Sequence, residues 1–497
     1  MPQELPGFYY DAEKNRYFPI KGPIPGSSRS SSSTTRKEPT EATNICRSVA
    51  VKISKLLQFR EVNGNVVAFN KRKLNVKEEI HKIQASEPVV HKYRGTDRVG
   101  ESALEQIRLA VCTPEGQTEM DVLLAGSVNG SVSCYEVGNV GQFFDNGVVC
   151  TPDLVRPHNR ENKVKRSKDC LHILRSAGLP IQMSSGISSI KLSSKQSPSN
   201  VDGGSNSQFA LVSTLGSEKS GGSVYVLDLS EPLDFRQFLP IIWRRIHDVA
   251  SFDCTIWTSD CNSNASKAVI GTNLGAALVN LESGASSWVC RCSSDVLAQQ
   301  FHNSENVVLC GLRNGAILTV DVREKQAGES SRLVRQRIPY SRTNQNSNRR
   351  WFEVKGNICA SHTTYMPSSI TSLVSLQLYD QYFLASSMDG SIKLYDHRLT
   401  KRGGVQSYEG NVNSHTHLQL GVDPSERFIL SGGEDCKVKL WSLKSGELLF
   451  DDKFSNSVCS TICWQRSESN MFSSLKDNFV LLLLCILLGH LPLENSY

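Results

Sequence analysis

The 497-residue chain carries none of the common catalytic frames: no phosphate loop of the Walker form, no Gly-x-Ser-x-Gly elbow and no His-Glu-x-x-His. An enzyme reading therefore has no residues to stand on, and no cofactor is expected. One-signed charge is also lacking, since 55 Lys and Arg against 49 Asp and Glu leave only +6. So small an excess does not by itself select a nucleic acid or an acidic surface as partner. Long apolar runs are missing until Phe479 to Leu491, and that run falls short of the ~20 residues a membrane-crossing helix needs. No stable membrane span is expected. The N-terminal stretch MPQELPGFYYDAEKNRY is charged and lacks the apolar centre of a secretory leader. The 15 cysteines are scattered, and the closest pairs, Cys290 with Cys292 and Cys459 with Cys463, have no partners at zinc-binding spacing. Reduced thiols in a nuclear or cytoplasmic compartment, with no metal, are the expectation.

Upstream of residue 97 the chain reads as an extension. Residues 1–25 are dense in aromatics, with Phe8, Tyr9, Tyr10, Tyr17 and Phe18 around a charged turn, and suggest a short docking segment. Residues 26–37, GSSRSSSSTTRK, hold too few apolar groups to offset ordering entropy and read as a linker. From Asn44 to Phe59, Ile45, Val49, Ile53, Leu56 and Leu57 recur at three-to-four spacing, which predicts an amphipathic helix with a basic flank. Such a helix either packs on its own domain or is offered to a partner groove.

Beyond about residue 100 the helical period gives way to strand–turn–strand punctuation. In FLASSMDGSIKLYDHR, residues 383–398, an Asp389-Gly390 turn joins two apolar runs, the strongest local hairpin signal a sequence offers. The frame recurs at Gly130, Gly222, Gly275, Gly315 and Cys436, and three of the five intervals are close to the ~40–45 residues of a propeller blade. The two long intervals are read as inserted loops near 138–184 and 324–367. The expected fold is an all-β propeller over residues 97–470, of seven blades with the last incomplete, followed by an atypical apolar tail at 471–497. Basic runs at 163–168 and at Arg349-Arg350-Trp351 fall in the predicted loops and leave a second reading open, a scaffold in a nuclear protein–RNA or protein–DNA assembly.

At Ser431-Gly432-Gly433-Glu434-Asp435, with Lys439-Leu440-Trp441 behind it, the chain resembles a WD repeat. That resemblance implies a buried polar set drawn from His417 or His415, Ser431, Asp435 and Trp441, with Ser387 and Asp389 as the matching residues of the preceding unit. Two units end in Asp-x-Arg, at Asp321-Val322-Arg323 and Asp396-His397-Arg398, and project a planar five-donor group from one rim. The doublet resembles the adaptor-binding box of WD-repeat substrate receptors of cullin-4 RING ubiquitin ligases, which dock on the DDB adaptor. The leader, Pro6-Gly7-Phe8-Tyr9-Tyr10-Asp11 and Asn15-Arg16-Tyr17-Phe18, is similar to that of the branch called DDB- and cullin-associated factor four. The resemblance implies a non-catalytic substrate-recognition subunit. Its adaptor contacts would be Asp321, Arg323, Asp396, Arg398 and the helix residues Ile45, Val49, Ile53 and Leu56. Its protein substrate is unknown.

Overall fold

The structure is a computed structural model. It describes residues 8–11, 16–19, 53–64, 66–69, 72–86, 90–93, 101–113, 116–139, 149–150, 152–156, 172–176, 180–195, 207–217, 220–233, 245–302, 305–323, 333–339, 351–359, 362–453 and 458–464. The chain divides into two compact units, Met1–Val49 and Ala50–Tyr497. In the first, the leader forms an antiparallel hairpin of Phe8–Asp11 with Arg16–Pro19.

The second unit is a propeller of six blades, not the seven expected. Each of the six repeating frames lies in its own blade, and no seventh sheet follows them among the described residues. Blade 1 is built on Ala103–Thr113, Gly116–Gly126 and Ser131–Asn139; blade 2 on Ile187–Lys195, Ser207–Thr214, Ser223–Asp228 and Ile246–Ser251. Blade 3 begins with Ile256–Cys261, Lys267–Thr272, Gly275–Asn280 and Ser286–Cys292; blade 4 consists of Val296–Phe301, Val307–Leu312, Ala316–Asp321 and Thr364–Tyr365. Blade 5 contains Ile370–Ser375, Tyr382–Ser387, Ile392–Asp396 and Gln406–Tyr408; blade 6 contains Leu420–Val422, Phe428–Gly432, Lys437–Ser442 and Leu448–Lys453. Each is antiparallel, and alternate residues feed the seams on either side. In blade 6, Ile429 and Trp441 pack toward blade 5, whereas Phe428, Leu430, Val438 and Leu440 line the opposite face.

The repeated turn signal works as its chemistry predicts. Gly130, Gly315 and Gly390 have φ of 85°, 82° and 82°, and Cys436, standing in the same frame, is forced to 59°. Gly222 is used differently: a Cβ there would lie 2.5 Å from the Thr214 carbonyl oxygen and 2.7 Å from the Ile256 side chain. Close approach, not a left-handed φ, requires that glycine.

The two intervals read as loops contain strands. His172–Ser176 pairs with the third strand of blade 1 and with Val149–Cys150. The interval near 324–367 forms a hairpin of Arg335–Pro339 with Trp351–Gly356, and this strap crosses back to pair with Ser286–Cys292. Blade 3 thereby becomes six-stranded, although the added strands follow blade 4's third strand in sequence. Ile338, Phe352 and Val354 share one buried cluster with Val308, Cys310, Leu318 and Val320 of blade 4.

Two helices precede the propeller: α1, Ile53–Asn63, and α2, Val76–Ser86, joined through the hairpin of Val66–Phe69 with Arg72–Asn75. The predicted helix over residues 44–59 therefore has its described part shifted toward the C-terminus, and Ile45 and Val49 lie outside the described residues. Unlike a separate extension, α2 is built into blade 6: fully buried Ala85 joins Phe428, Leu430, Val438, Leu440, Cys459 and Ile462. Residues 458–464 follow the last strand without forming one. Ser460 accepts from Gln419 N at 2.9 Å and donates through Oγ to the Glu101 carbonyl at 2.8 Å, linking blade 6 to the start of blade 1. The apolar tail at 471–497 lies outside the described residues, and no described helix is long and apolar enough to cross a membrane.

Candidate functional site

The ends of the third strands of blades 4, 5 and 6 share one rim, because the blades repeat the same strand order. At blade 4, the Arg323 guanidinium turns back on its own Asp321, with Nε 2.9 Å from Oδ2 and a further Nη2 contact. At blade 5, Arg398 does the same, with Nε 3.1 Å from Asp396 Oδ1 and Nη2 2.9 Å from Oδ2. This hydrogen bonding holds the Asp396 carboxyl below the usual carboxylate range. The arginine side chains are nevertheless 70% and 68% exposed, whereas their aspartates are largely covered. The aspartate fixes the fork, and the rest of it faces solvent.

The residue between them at blade 5, His397, packs against the Phe383 ring at 4.7 Å and the His302 ring at 4.5 Å. Burial, reinforced by His302, pulls its pKa down to about 4. The exit is therefore an exposed ion pair seated on a neutral imidazole held edge-on to His302 and tilted against Phe383. His302 in turn lies 3.1 Å from the Asp380 carbonyl through Nε2 and ties blade 4 to blade 5.

At blade 6 the corresponding residues are Ser442-Leu443-Lys444, and Lys444 Nζ reaches Glu78 of α2 at 2.7 Å. Lys82 of α2 bridges Glu79 at 2.9 Å and Glu447 at 3.3 Å. Arg427 Nη1 lies 3.1 Å from the His81 ring, whose pKa is lowered by burial and by that guanidinium. Asn75 caps α2 by accepting from Lys77 N at 3.0 Å, while Glu78 and Glu79 suit the helix's first turn. These signals were present in the sequence, yet the helix was not anticipated. Against α2 packs α1, through buried Leu56 and Val76. Its outer side leaves Ile53, Leu57 and Phe59 partly exposed and Val62 82% exposed. Ile53 and Leu56 thus lie on the helix, but only Ile53 faces out.

The WD-type polar residues are close in sequence but not joined in one network. His417 keeps part of its surface open while local desolvation lowers its pKa, and Nε2 lies 3.2 Å from the Leu297 carbonyl on blade 4's first strand, across the axial channel. Ser431 Oγ donates to the Gly432 carbonyl, Asp435 takes Lys439 Nζ, and fully buried Trp441 donates through Nε1 to the Glu409 carbonyl at 2.9 Å. Glu434 organises the approach to blade 6 instead. It accepts from Ser414 Oγ at 2.6 Å, Thr416 Oγ1 at 2.7 Å and the backbone N–H groups of His415 and Thr416 at 3.1 Å. Those bonds pull its pKa down to about 2. In blade 5, Asp389 accepts from Ser387 and, at 2.7 Å, from Ser391 Oγ, so the turn is closed by its own carboxylate. Among the described residues no cluster of His, Cys, Asp and Glu has metal-binding geometry, and the cysteines of blades 3 to 6 from Cys254 to Cys436 are free thiols.

Residues 347–464, which contain blades 5 and 6, match the family profile described as the DDB1- and CUL4-associated factor 4 beta-propeller domain. The chain is 35% identical over 157 residues to DDB1- and CUL4-associated factor 4 from Bos taurus, a stretch that is 32% of this chain and 26% of the relative. It is likewise 35% identical over 157 residues to the human DDB1- and CUL4-associated factor 4-like protein 2, 32% of each chain. The human DDB1- and CUL4-associated factor 4 is 33% identical over the same length, 26% of that protein. The alignments thus span about a quarter to a third of the curated relatives, and the family profile includes the Arg398 exit but neither Arg323 nor the helices.

Proposed function

From a chain whose residues 347–464 carry the DDB1- and CUL4-associated factor 4 propeller, we propose a substrate-recognition subunit of a cullin-4 RING ubiquitin ligase that holds the DDB1 adaptor at this rim. The observation that carries the reading is the run along blades 4 to 6. Two exposed arginine forks, Arg323 and Arg398, are followed at the third exit by Lys444, which holds α2 and with it the exposed apolar side of α1. Charged forks beside an apolar helix face suit a partner that brings carboxylates and a hydrophobic cleft together. The chain itself would do no chemistry; it would fix a target protein near the ligase's catalytic subunits.

Co-purification with DDB1 tests this. Arg323→Ala/Arg398→Ala and, separately, Leu57→Glu/Val62→Glu alter exposed groups and leave the propeller core intact. Each pair is expected to weaken retention by about tenfold or more, in line with a loss of ~1.4 kcal/mol or above. Absence of binding by the wild-type chain, or binding by both variants as strong as that of the wild type, removes the proposal.

A further inference from the structure

We propose that the outer edge of the strap hairpin is a docking site for an acidic, extended peptide, taken up as an additional strand of blade 3. Strand Arg335–Pro339 is the last of that six-stranded sheet. Gly356 N donates to the Val334 carbonyl at 2.9 Å, which makes 334 and 356 a hydrogen-bonded pair. Antiparallel alternation then directs the backbone groups of Gln336 and Ile338 to the neighbouring strand and turns those of Arg335 and Arg337 outward. Among the described residues two N–H donors at the spacing of an incoming strand are thus left on the edge, and Pro339 ends the ladder.

The side chains select the occupant. Arg335 stands opposite Lys355, and Lys355 opposite Arg291, so three cations sit side by side across three strands on one exposed face. Like charges in that position cost stability. Glu353 is the acid within this group; it accepts from Arg335 Nε at 3.0 Å and lies 3.6 Å from Arg337 Nε. Among the described residues, Lys355 and Arg291 have no carboxylate partner, and Arg291 is held over the Trp288 ring at 4.6 Å. Trp351, opposite Pro339 and 49% exposed, adds an apolar anchor at one end of the face.

A peptide strand paired to this edge brings alternate side chains to ~5 Å from Arg335 and Arg337, where its carboxylates meet two guanidiniums that share the single carboxylate of Glu353. The same arginines repel a second copy of this edge. The phosphates of a single-stranded nucleic acid offer no donor to the outward carbonyls of Arg335 and Arg337 and would be set against Glu353. The binding is a property of the purified chain without any adaptor, so its failure and the failure of the ligase reading are separate results.

Fluorescence anisotropy of the full chain with a labelled peptide alternating Glu and Val is the test. A Gln–Val peptide and a single-stranded oligonucleotide serve as competing probes. The Glu–Val peptide is expected to bind, and Arg335→Glu/Lys355→Glu, both on the surface, to weaken it by about tenfold or more. Arg337→Pro deletes one outward donor and is expected to lose more binding than Arg337→Ala, with thermal melting reporting that each variant is folded. Equal binding of the Gln–Val peptide, preference for the oligonucleotide, or full binding by the charge-reversed variant overturns the proposal; equal behaviour of the proline and alanine variants overturns the strand pairing.

Discussion

Cys436 occupies a turn position that four blades give to glycine at a φ above 80°, and its own φ of 59° is one that L side chains adopt at a cost of roughly 1 kcal/mol. Cys436→Gly is therefore expected to raise stability by up to about 1 kcal/mol, read as a higher urea midpoint at unchanged m-value. Gly390→Ala works in the other direction. Its Cβ would face the Asn411 carbonyl oxygen at 2.6 Å as well as a φ of 82°, so a loss of ~2 kcal/mol is expected from the same measurement. Titration supplies a further test at blade 5. The pKa of His397 is depressed from 6.5 to about 4, so the stability it contributes is complete above pH 6.5 and is lost as pH falls toward 4. Thermal melts between pH 7 and 4 are expected to show a smaller drop for His397→Phe than for the wild type.

The helices and the strap separate what neighbouring residues specify from what distant partners decide. Hairpins such as Phe383–Tyr395 were legible because turn chemistry and alternation are local, and the observed strands Tyr382–Ser387 and Ile392–Asp396 enclose the predicted ones. The Asp-x-Arg exits were legible too, although only coordinates give the fold of each arginine onto its own aspartate. The strap was read as a loop because its partner, Ser286–Cys292, lies in an earlier blade, and register across such a distance leaves no periodic trace. The WD-repeat resemblance implies His417 or His415 in the polar set of blade 6, whereas the His417 contact runs across the channel to blade 4. For α2 the cap at Asn75 and the pair Ile80 and Ile83 were available, but the helix is short and lies between strands. Its role in blade 6 gives a prediction at this scale. Ala85→Asp places an unpaired charge among Phe428, Val438 and Ile462, and about 3 kcal/mol or more should be lost, seen as a fall in Tm.

For the propeller as a body, the seam between blades 6 and 1 differs from the others. Residues 458–464 span it, with Ser460 holding both sides while Cys459 and Ile462 cover the free face of blade 6. Replacing residues 458–464 with a Gly-Ser segment is expected to speed amide exchange first in Phe428–Gly432 and Lys437–Ser442, while blades 3 and 4 keep their protection. Uniform loss across all blades would mean that the ring opens as one unit.

The strap also bears on the order in which the chain is made. Blade 3 finishes its fourth strand at Cys292, but the strand that covers that edge starts at Trp351, about 60 residues later. At a synthesis rate of about 5–20 residues per second, that edge waits roughly 3–12 s on the ribosome. Because Phe352 and Val354 then join the core of blade 4, the third and fourth blades mature together instead of in succession. Folding of this propeller thus follows an overlapping schedule, with its middle blades closing as a pair.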